Sequence, residues 1–247
     1  MTIQPSERCR VAAVLDTANE TKDVRVDGRT TRWQEHKEQR RTEVVDAALR
    51  AIEEEGTGVS VRRIAQRLEL PRQVVYRHFD GREDLDEHVR RRIVDMLLDE
   101  LTPVLSPNGT LIETVRHAVG TYVSWIERHP HLHHFLVAGS SDQQVLASHA
   151  ISGARTAVAA RMEDAVGRAL ARYEGDPRLA RPTAFGMLGF VDATVNSWRT
   201  DPNEKSLSAG QLTTYLTTSL CSMLSGTARA LGVELDPDTS LASLLGG

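Results

Sequence analysis

Cysteine is almost missing from this chain: Cys9 and Cys221 are the only two in 247 residues. Two cysteines cannot build a disulfide framework, and neither a C-x-x-C pair nor another zinc-ligand spacing occurs. A reducing compartment, the cytoplasm, is the expectation that follows. Aromatic residues are scarce at 4%, and apolar–polar alternation with a period of two is nearly absent, which argues against β-sheet. The opening residues MTIQPSERCRV carry charge where a secretory signal needs an apolar run. Residues 206–228 contain no charge and are long enough to span a bilayer, but fewer than half are apolar and serine and threonine fill most of the rest. That composition suits a buried interface helix, so no membrane partner is expected. Catalytic signatures are missing as well: there is no glycine-rich phosphate loop, nucleophile elbow, H-E-x-x-H or framed carboxylate pair. An enzyme is disfavoured, and no cofactor is implied.

What is present is helical periodicity along nearly the whole chain, so the expected fold class is all-α. Residues 1–28 read as a flexible extension of mixed charge. A first helix is expected from near Thr31, where Thr31 and Gln34 have capping-box spacing. Its apolar stripe is Val44, Val45, Ala48, Leu49 and Ile52, and Gly56 stops it. Ser60 suits the N-cap of a second helix carrying Val61, Ile64, Ala65 and Leu68. A short turn at Glu69–Leu70 leads to a third helix opened by Pro71. Gly81 separates this from a fourth helix with Leu85, Val89, Ile93, Leu97 and Leu101. Pro103 and Pro107 mark a linker, after which longer helices are expected near 110–128, 131–139, 143–173, 179–198 and 208–231.

The net charge is −4, yet residues 59–79 hold Arg62, Arg63, Arg67, Arg72 and Arg77 against Glu69 alone. A compact basic patch on an acidic body has the form of a local nucleic-acid footprint. Within PRQVVYRHF (71–79), Val75 and Phe79 point inward with Val74 beside them, whereas Arg72, Gln73, Tyr76 and Arg77 share an outward face. Arginine can bind guanine bidentately and glutamine can bind adenine, so this face could read base edges; a merely solvated face is the alternative. Two short helices joined by a tight turn, the second basic, form the helix-turn-helix layout.

Gly56 followed by SVRRIAQRLELPRQVVYRHFDGREDL, from Ser60 to Leu85, resembles the TetR family of bacterial transcriptional regulators. The matching places are Gly56, Ser60, Ile64-Ala65, Tyr76, His78-Phe79 and Arg82-Glu83-Asp84-Leu85. The resemblance implies a helix-turn-helix DNA-binding domain at 29–80, a helical effector-binding and dimerisation domain at 81–235, and a C-terminal tail at 236–247. It implies phosphate contacts from Ser60 and Arg62, base reading by Arg72, Gln73 and Val74, phosphate clamping by Tyr76, His78 and Arg82, and either role for Arg77. Two places depart from the pattern. Glu69 stands where the turn usually has glycine, and Pro71 stands where a hydroxyl residue often caps the recognition helix. Ahead of the head, Arg25, Arg29, Arg32, Lys37, Arg40 and Arg41 could reach phosphates or a minor groove, diluted by Asp27, Glu35 and Glu38.

In the body, His129, His131, His133 and His134 tempt a metal reading, but no acid or cysteine completes a ligand set and Pro130 separates His129 from the others. No metal is expected. An effector pocket is expected, with Trp125, Phe135, Met162 and Phe185 as apolar contacts and Asp192 or Asn196 as polar anchors. Gly186, Gly189 and Ala193, and then Ser219, Ser222 and Gly226 beside Leu212, Leu216, Leu220 and Met223, line the last two long helices and suit a homodimer interface, with packing inside one chain as the alternative. The resulting expectation is a ligand-responsive repressor bound as a homodimer to a pseudo-palindromic operator on double-stranded DNA and released by a small-molecule effector. The rivals are an all-helical interaction protein with a degenerate head and, last, an enzyme.

Overall fold

The computed structural model describes residues 28–104, 109–138, 148–201, 207–230 and 232–245, with side chains from His36 onward. The α1 helix runs Gly28–Glu55, so it starts ahead of Thr31, and the Thr31–Gln34 side chains lie outside the described set. The described residues up to Glu38 belong to one unit and those from Gln39 onward to another.

Gly56 stops α1 as expected, with φ +86° and its N–H on the Ile52 carbonyl at 2.8 Å. The α2 helix, Val61–Arg67, opens on Ser60, whose hydroxyl accepts from the Arg63 N–H at 3.2 Å. Its exit is a Schellman motif: the Leu70 N–H reaches the Ala65 carbonyl and the Glu69 N–H reaches that of Gln66. That motif needs a left-handed residue, and Glu69 supplies it at φ 55°. A side chain there costs roughly 1 kcal/mol relative to glycine. Glu69→Gly is therefore expected to stabilise the protein by a few tenths to ~1 kcal/mol after glycine's extra unfolded-state entropy is subtracted. Urea denaturation measures it, and a loss of stability would show that Glu69 is not strained.

Pro71 then caps α3, Arg72–Tyr76, in an extended conformation and without a side-chain bond. The α4 helix spans Gly81–Val104 and absorbs Pro103 in its last turn, one residue before the described segment ends. Val44, Ile52, Ile64, Val75, Phe79, Leu85 and Val89 are all buried and close the head around one core.

The body comprises α5 (Leu111–Arg128), α6 (Pro130–Ala138), α7 (His149–Arg172), α8 (Ala180–Thr200, entered by a 3₁₀ turn at Pro177–Leu179) and α9 (Ala209–Ala230). Among the described residues there is no strand, only an isolated bridge between Thr110 and Ser240. The α5 helix packs on α9 and α4, and α7 packs on α8 and α4. Residues read from sequence as a tail contain a short helix, α10 (Leu241–Leu245), with Leu244 buried. Carbonyls of Thr239 and Pro237 accept from Leu111 and Ile112 N–H, while Thr110 and Glu113 complete a capping box. The unpaired donors at the start of α5 are thereby satisfied.

Candidate nucleic-acid interface and effector region

The outward face of α3 is as the sequence predicts. Arg72, Gln73, Tyr76 and Arg77 are exposed, Val75 and Phe79 are buried, and Val74 is half-buried beside them. Tyr76 keeps 37% of its surface exposed, a large amount for an aromatic side chain. Arg72 donates to its hydroxyl at 2.8 Å and lies over its ring at 5.1 Å. The two side chains therefore form one preassembled projection. Ser60 and Arg62 are exposed at the start of α2.

Other sequence-predicted contacts are more committed. Arg82 Nη1 donates to the Val59 carbonyl at 2.6 Å and Nε to Asp86 at 2.9 Å, so it braces the loop before α2. His78 is half-buried. The basic patch is also narrower than its arginine count. Arg67 binds Glu54 and Glu55 at 2.5 Å each, and Arg63 binds Glu55 at 2.9 Å. Hydrogen bonding to Arg67, and for Glu55 also to Arg63, holds both carboxyls below their usual range. Arg62, Arg72 and Arg77 remain as the cations of this stretch without an ion pair among the described residues. Of the basic arm, Arg40 pairs with Glu43, and Arg41 sits over Phe79 at 5.3 Å. Arg25 and the side chains of Arg29 and Arg32 lie outside the described residues.

Residues 44–89 match the family model described as bacterial regulatory proteins, tetR family. An uncharacterized HTH-type transcriptional regulator of Mycobacterium tuberculosis is 30% identical over 210 residues, covering 85% of this chain and 87% of that protein. The chain belongs to the TetR family. It is a DNA-binding transcriptional regulator, and α2–turn–α3 is its helix-turn-helix. Two solved structures share the fold of this TetR-family chain. A tetR-family transcriptional regulator from Streptomyces coelicolor has a TM-score of 0.62 at 19% identity, covering 85% of this chain and 87% of its own. FadR from Bacillus subtilis, in complex with stearoyl-CoA, has a TM-score of 0.56 at 19% identity, covering 75% and 98%.

The predicted effector residues of this TetR-family body differ in burial and in partners. Trp125 is fully buried, Phe135 is buried beneath Arg90 at 5.5 Å, and Met162 is half-buried against the core. Phe185 instead lies on the surface under Arg181, and Asn196 is exposed. Asp192 is paired with Arg155, while burial pushes its carboxyl up. Sequence reasoning missed the company Asp192 keeps. Tyr122 of α5 is pushed up by burial and by the Asp192 charge, and its ring meets His133 edge-on at 6.5 Å. Burial, with Arg199 nearby, lowers His133 to about 4, so it is neutral near pH 7. Tyr122, His133, Arg155 and Asp192 come from four separate helices, which no local pattern could join. Elsewhere, an apolar cavity of about 80 Å³ lies among α7, α8, α9 and the C-terminal segment, lined in part by Leu170, Tyr173, Leu224, Val233, Leu235 and Leu244. None of the predicted effector residues lines it.

Among the described residues no cluster of three metal-ligating side chains occurs, and no helix is long and apolar enough to cross a membrane.

Proposed function

We propose that this TetR-family chain is a ligand-responsive repressor that grips a pseudo-palindromic operator as a homodimer and lets go when a small molecule enters its body. The division of labour follows the sequence expectation, with residues 29–80 meeting DNA and 81–235 sensing and pairing. The observation that carries the reading is the α3 face: Arg72, Gln73, Tyr76 and Arg77 stand exposed on a helix whose opposite side, Val75 and the following Phe79, is locked into the core. Such a face suits a major groove, with Arg72 and Gln73 at base edges and Ser60, Arg62 and Tyr76 on phosphates.

Pairing is supported by a second face. Phe185 on α8 and Tyr215 and Met223 on α9 are large apolar side chains left exposed on the protomer. Gly186, Gly189 and Gly226 stand beside them, each with nothing beyond its own stretch of helix backbone within 4 Å of where a Cβ would be. Two such faces brought together by a two-fold axis would bury the aromatics, with room for close backbone approach.

Release by an effector is supported by how α4, which carries Arg82, is tied to the body. Glu87 accepts from the Ser148 hydroxyl at 2.9 Å and from the Ala150 N–H at 2.7 Å, capping α7. A ligand that shifts α7 would pull α4 through that carboxylate. The size of the switch equals the ligand's preference for one state over the other. An acyl-CoA in a fold neighbour supports a small-molecule effector as a class, and Tyr122, His133 and Asp192 are polar groups through which the body could anchor it.

The test is binding to the DNA flanking the chain's own gene at two salt concentrations. Arg62→Ala is expected to weaken binding across sequences and to reduce the salt slope by about 1 for each protomer's lost phosphate contact. An unchanged slope would remove Arg62 from the interface.

A further inference from the structure

The last turn of α1 reads Glu53-Glu54-Glu55, with no basic residue in that turn. Three carboxylates at a helix C-terminus oppose the helix dipole, which favours cations there. Each of the three is met by a cationic or N–H-bearing side chain from outside the helix. Glu54 and Glu55 take Arg67 and Arg63 of α2. Glu53 turns the other way, towards the α5–α6 corner: its carboxylate meets His129 Nδ1, and its main-chain carbonyl accepts from His131 Nδ1 at 2.8 Å. That carbonyl belongs to the final helical turn, whose acceptors lack partners within the helix, so His131 acts as a C-terminal cap supplied by the body. His129 is backed by the Trp125 ring at 5.2 Å, and the neighbouring Arg128 is fixed to Glu100 of α4 at 2.5 Å.

We infer that His129 and His131 are positioning residues for operator binding, acting through Glu53-Glu54-Glu55 on Arg63 and Arg67 to set α2 relative to the body. This route is separate from the Glu87 tie on α4. It gives two of the four histidines set aside as metal ligands a different purpose. One end of the relay is Trp125 in the buried body, and the other is the first helix of the DNA-reading motif. The inference rests on the operator reading above for its purpose, but its mechanical half does not need DNA.

The experiment compares full-length protein with the His129→Ala/His131→Ala variant and with Glu53→Gln, which keeps side-chain shape and the main-chain carbonyl. Amide hydrogen exchange is read on the free proteins. Binding is then read on the full operator and on an isolated half-site. The double variant is expected to speed exchange about fivefold or more in peptides covering 53–67 while leaving α9 unchanged. It is expected to lose about tenfold on the full operator with half-site binding kept, because the head stays intact and only its placement is lost. Glu53→Gln is expected to fall between the two. Unchanged exchange at 61–67 overturns the relay. Faster exchange with an undiminished full-operator preference overturns the positioning role. Equal losses on both DNAs reduce the histidines to ordinary stability and overturn it too. Should the wild type itself not prefer the full operator, the dimer reading fails, and the exchange result alone then decides the relay.

Discussion

Replacing Arg72 and Gln73 together with alanine is expected to lower affinity for the specific operator by roughly a thousandfold while nonspecific binding falls only several-fold. A good bidentate contact to a base discriminates by about 1–3 kcal/mol. Two such contacts in each protomer of the proposed dimer would give about 4 kcal/mol even at the low end, and 1.4 kcal/mol is about tenfold. The nonspecific loss is smaller because only Arg72 removes charge. Stability should hardly move, since both side chains are exposed. Tyr76 loses its Arg72 partner in this variant, so Gln73→Ala alone is the control that separates base reading from a reoriented tyrosine. Competition binding against operator and random duplexes at one salt concentration measures the ratio. Equal fold losses on both duplexes would mean that the α3 face touches phosphates only.

The second large effect is expected from Tyr215→Glu combined with Met223→Glu. Both residues are exposed on the protomer, at 49% and 39%, so the charges should leave the fold intact. Brought against their own copies across a two-fold axis, the same four carboxylates would face one another in a desolvated contact, which is strongly unfavourable. A monomer is the expected product in sedimentation, with helical content retained. Full-operator affinity should drop by roughly 10²–10⁴-fold, the advantage of a tethered second head. A variant that still sediments as a dimer would move the interface away from α8 and α9.

The head was legible because its information is local. Ser60 caps within three residues and the Val61–Ile64–Ala65 stripe repeats at helical spacing, whereas the left-handed position at Glu69 was marked only by the resemblance, in whose pattern the turn has glycine. The inward and outward faces of PRQVVYRHF follow from the same periodicity. What sequence reasoning could not see is pairing across separate elements. Arg63 and Arg67 counted as part of a basic patch until Glu54 and Glu55, eight to thirteen residues upstream, were seen to hold them. In the body, Asp192 was named without Arg155, Tyr122 or His133, because helix rotation about four different axes decides which of them meet. Phe185 and Trp125 look alike in a hydrophobic pattern, yet one is exposed and the other fully covered. The C-terminal segment that satisfies the first turn of α5 was invisible for the same reason: a main-chain carbonyl has no sequence signature.

The acidic end of α1 has a kinetic consequence for how this regulator finds its target. With Arg63 and Arg67 already paired to Glu54 and Glu55, Arg62, Arg72 and Arg77 are the cations of residues 59–79 left without an ion pair among the described residues. Hold time on random sequence shortens steeply as such contacts are removed. On the proposed operator reading, a head built this way would hop between stretches of duplex rather than linger, and the few side chains of one short helix would have to stop it.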